Sequence, residues 1–181
     1  MTKFELYNLP LRNLTDTPTA FEYDLNNEFF KKINSPEVER GNMKAVVSAK
    51  KKAAVFELKI ELSGSVTIPC DRCLADMQQP INYHETLLVK FGEQFSEEGE
   101  VVIVPESDGK INLAWFFYEM IVVNIPIKHV HPAGECNKTM EAKLKRHSVH
   151  SKNDDGEDDF FDDDDFDEDD DEPQWEPLPE E

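Results

Sequence analysis

The chain has 181 residues and a formal net charge of −20, from 39 acidic and 19 basic residues. Eighteen of the acids lie in residues 153–181, which hold no Lys or Arg, so the first 152 residues carry 21 acids against all 19 bases and are close to neutral. Three cysteines are an odd number and do not suggest a disulfide framework. The longest apolar stretch, residues 113–127, is short for a bilayer and contains Glu119 and Asn124.

The start, MTKFELYNL, lacks the basic and apolar regions of a secretory signal. The expectation is a soluble, cytoplasmic protein with reduced thiols. It would have one domain over residues 1–150 and an acidic tail over 151–181.

In chain order, FELYNL (4–9) reads as a first short strand. AFEYDL (20–25) alternates Phe21, Tyr23 and Leu25 with Glu22 and Asp24, the period of a half-buried strand. NNEFFKKI (26–33) predicts a short helix capped by Asn26 and closed before Pro36. A long hairpin follows, NMKAVVSAKK paired with AAVFELKIELSG, with its turn expected at Lys50, Lys51 and Lys52. Phe56, Leu58, Ile60 and Leu62 would face a core. Gly64 would bend the chain before SVTIP leads into Cys70. NYHETLLVKFG (82–92) and VVIVP (101–105) are further strands, with residues 96–100 an acidic loop and Ser107, Asp108 and Gly109 a turn. Residues 113–124 predict an apolar helix capped by Asn112 and stopped by Pro126, with a buried strand pair as the alternative. A short helix is expected over residues 139–146. Together these give an α+β fold, β-rich, with a twisted antiparallel sheet or open barrel and one apolar helix packed on it. Beyond Lys152 the run of acids is expected to be disordered, since it repels itself and buries little.

Two of the three cysteines stand in PCDRCLADM, as Cys70 and Cys73. Two thiols at C-x-x-C spacing can hold a metal, cycle as a redox pair or fill a core. A tetrahedral zinc ion needs four N or S donors. IKHVHPAGEC supplies candidates, with Cys136 five residues after His131 across a Pro-Ala-Gly stretch that can turn back. Cys70, Cys73, Cys136 and His131 would form a Cys₃His set, with His129 as the alternative fourth ligand. In an extended segment the two imidazoles point to opposite sides, so only one can face the thiols.

SGSVTIPCDRCLADMQQPI, followed by GKINLAWFFYEMIVVNIPIKHVHPAGEC, resembles the YceD family of bacterial and plastid proteins, also called large ribosomal RNA subunit accumulation proteins. The positions that carry the resemblance are Gly64, Cys70, Arg72, Cys73 and Leu74; then Ile111, Asn112 and Leu113; then Ile125, Pro126, His131 and Cys136. It extends over residues 4–145. The resemblance implies a metal-binding, nucleic-acid-binding protein that supports accumulation of 23S-type ribosomal RNA and the large subunit, with no enzymatic reaction. Some relatives carry a second C-x-x-C after the position of Cys136. This chain does not, which leaves Cys₃His or no metal. The acidic tail looks like a lineage-specific addition.

The function expected first is a non-catalytic factor for large-subunit ribosomal RNA accumulation, binding that RNA, ribosomal proteins or pre-ribosomal particles. Its candidate contacts are Arg72, whose guanidinium can fork onto phosphate, and the cationic cluster Lys138, Lys143, Lys145 and Arg146. A salt bridge from Arg72 to Glu61 or Glu85 is the plainer alternative, and the lysines at 50–52 read as a solvated hairpin tip. A second expectation is a protein-interaction adaptor whose acidic tail binds basic partners through Phe160, Phe161, Phe166 and Trp175. A third is a thiol redox protein using Cys70 and Cys73. No H-E-x-x-H, phosphate loop or nucleophile triad is visible.

Overall fold

The computed structural model describes residues 4–147. Residues 153–181, with Phe160, Phe161, Phe166 and Trp175, lie outside the described residues, as does the expectation that they are disordered. Two sheets organise the described chain. The main one has six strands and contains β2 (Thr19–Leu25), β3 (Arg40–Lys52), β4 (Val55–Pro69), β5 (Asp76–Gly92), β6 (Ser96–Glu98) and β7 (Val101–Pro105). Their order across the sheet is β2-β3-β4-β5-β7-β6. The small sheet pairs β1 (Asn8–Pro10) with β8 (Lys110–Asn112). Three helices complete the fold: α1 (Asn27–Ile33), α2 (Ala114–Val123) and α3 (Lys138–His147).

Alternation builds the main sheet. Phe56, Leu58, Ile60 and Leu62 of β4 are buried, as are Ala45, Val47 and Ala49 of β3, and their register places them on one face. Burying each such side chain contributes about 1.5–3 kcal/mol before chain entropy is subtracted. Lys59 and Glu61 point the other way, into solvent. The apolar face is covered by α1, which buries Phe29 and Phe30, and by α2, which buries Ala114, Phe117, Tyr118 and Ile121. The predicted β-rich α+β fold with an apolar helix on the sheet is what the structure shows.

The helix ends follow local chemistry. Asn26 Oδ1 accepts from the N–H groups of Glu28 and Phe29 at 3.0 and 3.2 Å, satisfying donors that the first turn leaves open. Asn112, expected as the cap of α2, stands one residue before the observed cap, Leu113, and binds on both sides. Its Oδ1 accepts from Ala114 N–H at 3.1 Å, while its Nδ2 donates to the Phe4 carbonyl and to Asn8 Oδ1, each at 2.8 Å. Ile111 and Leu113 on either side are buried. The I-N-L triplet thus pins the N-terminal segment and the start of α2 onto the core.

Five expectations change. Of residues 4–9 only Asn8 and Leu9 are strand, in Asn8–Pro10, and Glu5–Tyr7 forms a 3-10 turn. The β3–β4 turn lies at Ala53 and Ala54, beyond the lysines, because Lys52 pairs with Val55 and Ala53 takes up the left-handed φ of 55°. β4 does not break at Gly64. It continues in register to Pro69, with Gly64 at φ 142° passing so close to β3 that a Cβ would lie 2.4 Å from the Asn42 carbonyl oxygen. Residues 96–98 of the acidic loop are an edge strand antiparallel to β7. Finally, β7 runs parallel to β5. The chain reverses once after Gly92 and again at Gly99, whose φ is 63°, so two reversals restore the original direction. No described helix is long and apolar enough to cross a membrane.

Candidate metal centre

Residues 70–75 form the turn of the longest hairpin, β4–β5, whose last register pair is Pro69 with Asp76. Cys70 N–H donates to the Ala75 carbonyl and Leu74 N–H to the Cys70 carbonyl, both at 2.9 Å. Closing so tight a loop forces Leu74 to φ 58°, a region that costs a non-glycine residue about 1–2 kcal/mol. Both cysteines turn inward while Arg72 and Leu74 stay exposed, Leu74 by 69%.

The second arm of the site lies between α2 and α3. Glu135 N–H donates to the Pro132 carbonyl at 3.1 Å, and Gly134 adopts the positive φ of 88° that such a turn requires at its third position. This turn brings Cys136 back beside His131. Asn137 then caps α3, its Oδ1 accepting from Thr139 N–H at 3.0 Å and Met140 N–H at 3.3 Å.

Cys70, Cys73, His131 and Cys136 each present one donor atom, and the four atoms lie within 4.8 Å of one another. A tetrahedral ion with bonds of about 2.3 Å to sulfur wants donors roughly 3.8 Å apart, so a small contraction would close the set. His131 Nδ1 is 3.4 Å from Cys73 Sγ, and its Nε2 is 3.3 Å from the Asp76 carbonyl oxygen. A proton on Nε2 donated to that carbonyl leaves the Nδ1 lone pair facing the sulfurs, the arrangement metal-ligating histidines use. His131 N–H also donates to Cys70 Sγ at 3.4 Å.

His129 faces elsewhere. Its Nε2 is 3.3 Å from Asp71 Oδ1 and its Nδ1 is 3.0 Å from the Pro126 carbonyl oxygen. Its backbone N–H donates to Asp71 Oδ2 at 2.7 Å, and Asp71 N–H donates back to the His129 carbonyl at 2.9 Å. Asp71 and His129 therefore clasp the two arms together and leave His131 as the inward histidine. Nothing in the residue types marked this clasp beforehand, since an Asp between two cysteines is ordinarily read as a solvated turn residue.

The electrostatics divide the thiols. Burial raises Cys70, but N–H donors from His131, Cys73 and Arg72 and the His131 ring outweigh it and bring its pKa down to about 6. Cys73 is lowered chiefly by the Asn137 and Ala75 N–H groups. Burial raises Cys136, and its sulfur neighbours raise it further. His131 is raised, first by its bond to Cys70. Two of the three sulfurs are thus shifted toward the thiolate, the form a metal binds. The cysteines are 0–5% exposed and form a small cluster, bordered by Ala75, Met77, Val130 and Met140.

Arg72 is exposed and forms no ion pair among the described residues, so the bridges to Glu61 and Glu85 are not made. Lys138, Lys143, Lys145 and Arg146 all lie exposed on α3, with Lys145 3.6 Å from Glu141 one turn earlier. Lys50 and Lys52 both reach Glu57, at 3.0 and 3.8 Å, so these two lysines are paired within the hairpin.

Comparison with curated proteins and with solved structures returned no match. A sequence model of the family described as large ribosomal RNA subunit accumulation protein YceD matches residues 58–179. That stretch takes in most of β4, the hairpin cysteines, α2, His131, Cys136 and α3. It also runs through the acidic residues, which are therefore part of the matched region and not an addition outside it. By this match, which spans more than half its length, the chain belongs to the YceD family.

Proposed function

We propose that this protein is a non-catalytic, cytoplasmic assembly factor that supports accumulation of large-subunit ribosomal RNA, and that zinc held by Cys70, Cys73, His131 and Cys136 sets its RNA-binding surface. The tie to large-subunit RNA rests on the family name. The metal rests on one observation above all: four donors of zinc chemistry converge, with the ring of His131 held by the Asp76 carbonyl. Three cysteines and a few partly buried neighbours make too small an apolar cluster to hold two loops by burial alone, and metals supply that shortfall in small units.

When bound, zinc would serve as a structural cross-link between the β4–β5 turn and the segment that starts α3. Cys136 directly precedes Asn137, the cap of α3, so the ligand set fixes where the cationic helix begins. Arg72, Lys138, Lys143 and Arg146 then offer exposed charges to phosphate from the two arms. The burial of both hairpin thiols speaks against the redox alternative, because exchange needs an accessible sulfur.

The test combines metal analysis with sedimentation. Purified full-length protein should carry about one zinc per chain, and Cys70→Ser/Cys73→Ser should abolish it. The wild type should co-sediment with large-subunit precursors, Arg72→Lys should weaken this with zinc retained, and cells lacking the protein should hold less large-subunit RNA. A chain that neither carries nor takes up zinc removes the metal from the proposal. Unchanged ribosomal RNA in the deletion strain removes the RNA role.

A further inference from the structure

A groove of about 1020 Å³ opens between β5 and the outer side of α2, and runs on past β7 to the β6–β7 turn. Leu87, Phe116, Met120 and Val123 give it apolar walls. Its rim carries Glu85, Glu97, Glu100 and Glu119, all exposed, and none of the four forms an ion pair among the described residues. The one basic lining residue, Lys52, is already 3.8 Å from Glu57. Beside the groove, α2 leaves Trp115 59% and Val123 77% exposed. A helix that is apolar on every side is ordinarily covered on every side, and Glu119 is the only charge in α2.

We propose that this groove docks a basic segment of a partner protein, one that lays apolar side chains against Leu87 and Val123 while its Lys or Arg residues meet the four carboxylates. Charge complementarity selects the occupant. RNA is repelled by the rim. The chain's own residues 153–181 carry 18 acids and no Lys or Arg, and are repelled likewise. A basic peptide with interspersed apolar residues satisfies both walls and rim. This goes beyond the proposed RNA role: the protein has a cationic arm for phosphate and a separate anionic groove for a basic protein segment, and neither surface depends on the other.

The test uses full-length protein and two labelled 16-residue peptides of equal charge, one with Leu at i, i+3, i+4 and i+7 spacing and Lys on the opposite helix face, the other with every Leu replaced by Ser. Fluorescence anisotropy at low salt should show the Leu-containing peptide binding the wild type about tenfold tighter than either Glu85→Lys/Glu119→Lys or Val123→Asp. The Ser peptide, which reads charge attraction to the rim and to residues 153–181 without the apolar walls, should bind the wild type more weakly than the Leu peptide and lose nothing on Val123→Asp. Glu85→Gln/Glu119→Gln keeps an acceptor for the Tyr83 hydroxyl, 3.2 Å from Glu85, and stands in if charge reversal disturbs the fold. Equal affinity of the Leu peptide for all chains overturns the proposal. So does concentration-dependent self-association of the wild type that Val123→Asp abolishes, since a second copy would then be the occupant. No zinc or RNA enters the measurement, so failure here leaves the proposed RNA role standing.

Discussion

His131 and His129 are two residues apart and their roles are separated by what each second nitrogen touches. Nε2 of His131 is held by the Asp76 carbonyl, which frees Nδ1 for the sulfurs, while both ring nitrogens of His129 are engaged by Asp71 and Pro126. His131→Ala should therefore lower zinc affinity by at least about 100-fold. His129→Ala should keep the stoichiometry and lose about tenfold, as outer-shell changes do. A chelator competition titration reads both, and equal losses would contradict the assignment. The pH dependence has a definite sign. The folded pKa of Cys70 is depressed to about 6, so its thiolate contribution is present at higher pH and disappears as pH falls through about 6. Protons compete with zinc for the Cys70 sulfur and for His131, whose affinity for a proton is raised by its bond to Cys70, so acidification should release zinc, followed with a metallochromic dye. Leu74 makes a different point at the same scale. Its left-handed φ of 58° would suit glycine, yet the side chain is held 69% exposed above the knuckle. Leu74→Gly should stabilise the domain by about 0.5–1 kcal/mol in urea melts and weaken association with precursor particles, since strain kept at an exposed position points to use of the side chain.

Between elements, the geometry is set by three long strands and one crowded point, Gly64, where β4 and β3 approach within a distance that no side chain survives. Gly64→Ala should cost about 2–4 kcal/mol by chemical denaturation, combining overpacking with an unfavourable φ. The alternation of β3 and β4 was open to reading because one face is buried throughout, and the convergence of Cys70, Cys73, His131 and Cys136 because cysteines are scarce and a Pro-Ala-Gly turn joins His131 to Cys136. Other features left no trace. Residues 96–98 are exposed on both faces, so no periodicity marks them as strand. The parallel β5–β7 pairing arises from two chain reversals, which no strand pattern encodes. The turn after Lys52 was misplaced because Ala53 and Ala54 carry none of the usual turn chemistry. The second arm, residues 129–147, touches the rest chiefly through the Asp71–His129 clasp and the donor cluster. Chelating the metal should raise amide exchange across that arm while the amides of β3 and β4 stay protected, because local opening follows local contacts. Uniform loss of protection would mean the cluster supports the whole core.

At the scale of the molecule, charge is partitioned. The first 152 residues are nearly neutral, and within them the exposed cations of α3 and the carboxylates along the β5–α2 groove are different surfaces. The 18 acids of residues 153–181 impose a net −20 on the full chain. A polyanion such as RNA approaching α3 meets this field as well as the local lysines, and the two oppose each other. Ending the chain after Lys152 removes the field and leaves the phosphate contacts unchanged. RNA affinity should then rise most at low ionic strength, where the Debye length is about 30 Å at 0.01 M, and the gain should shrink at 0.15 M, where it is about 8 Å. The slope of log affinity against log salt also tells which term dominates. With the acids removed it should become steeper, since the repulsion that salt relieves, and that offsets counterion release, is gone. Filter binding with a large-subunit RNA fragment across a salt series checks this, with Lys143→Glu/Arg146→Glu in the truncated chain as the control for where the phosphate lies. An affinity indifferent to the truncation at every salt would mean that residues 153–181 act on basic proteins alone and leave the RNA surface untouched.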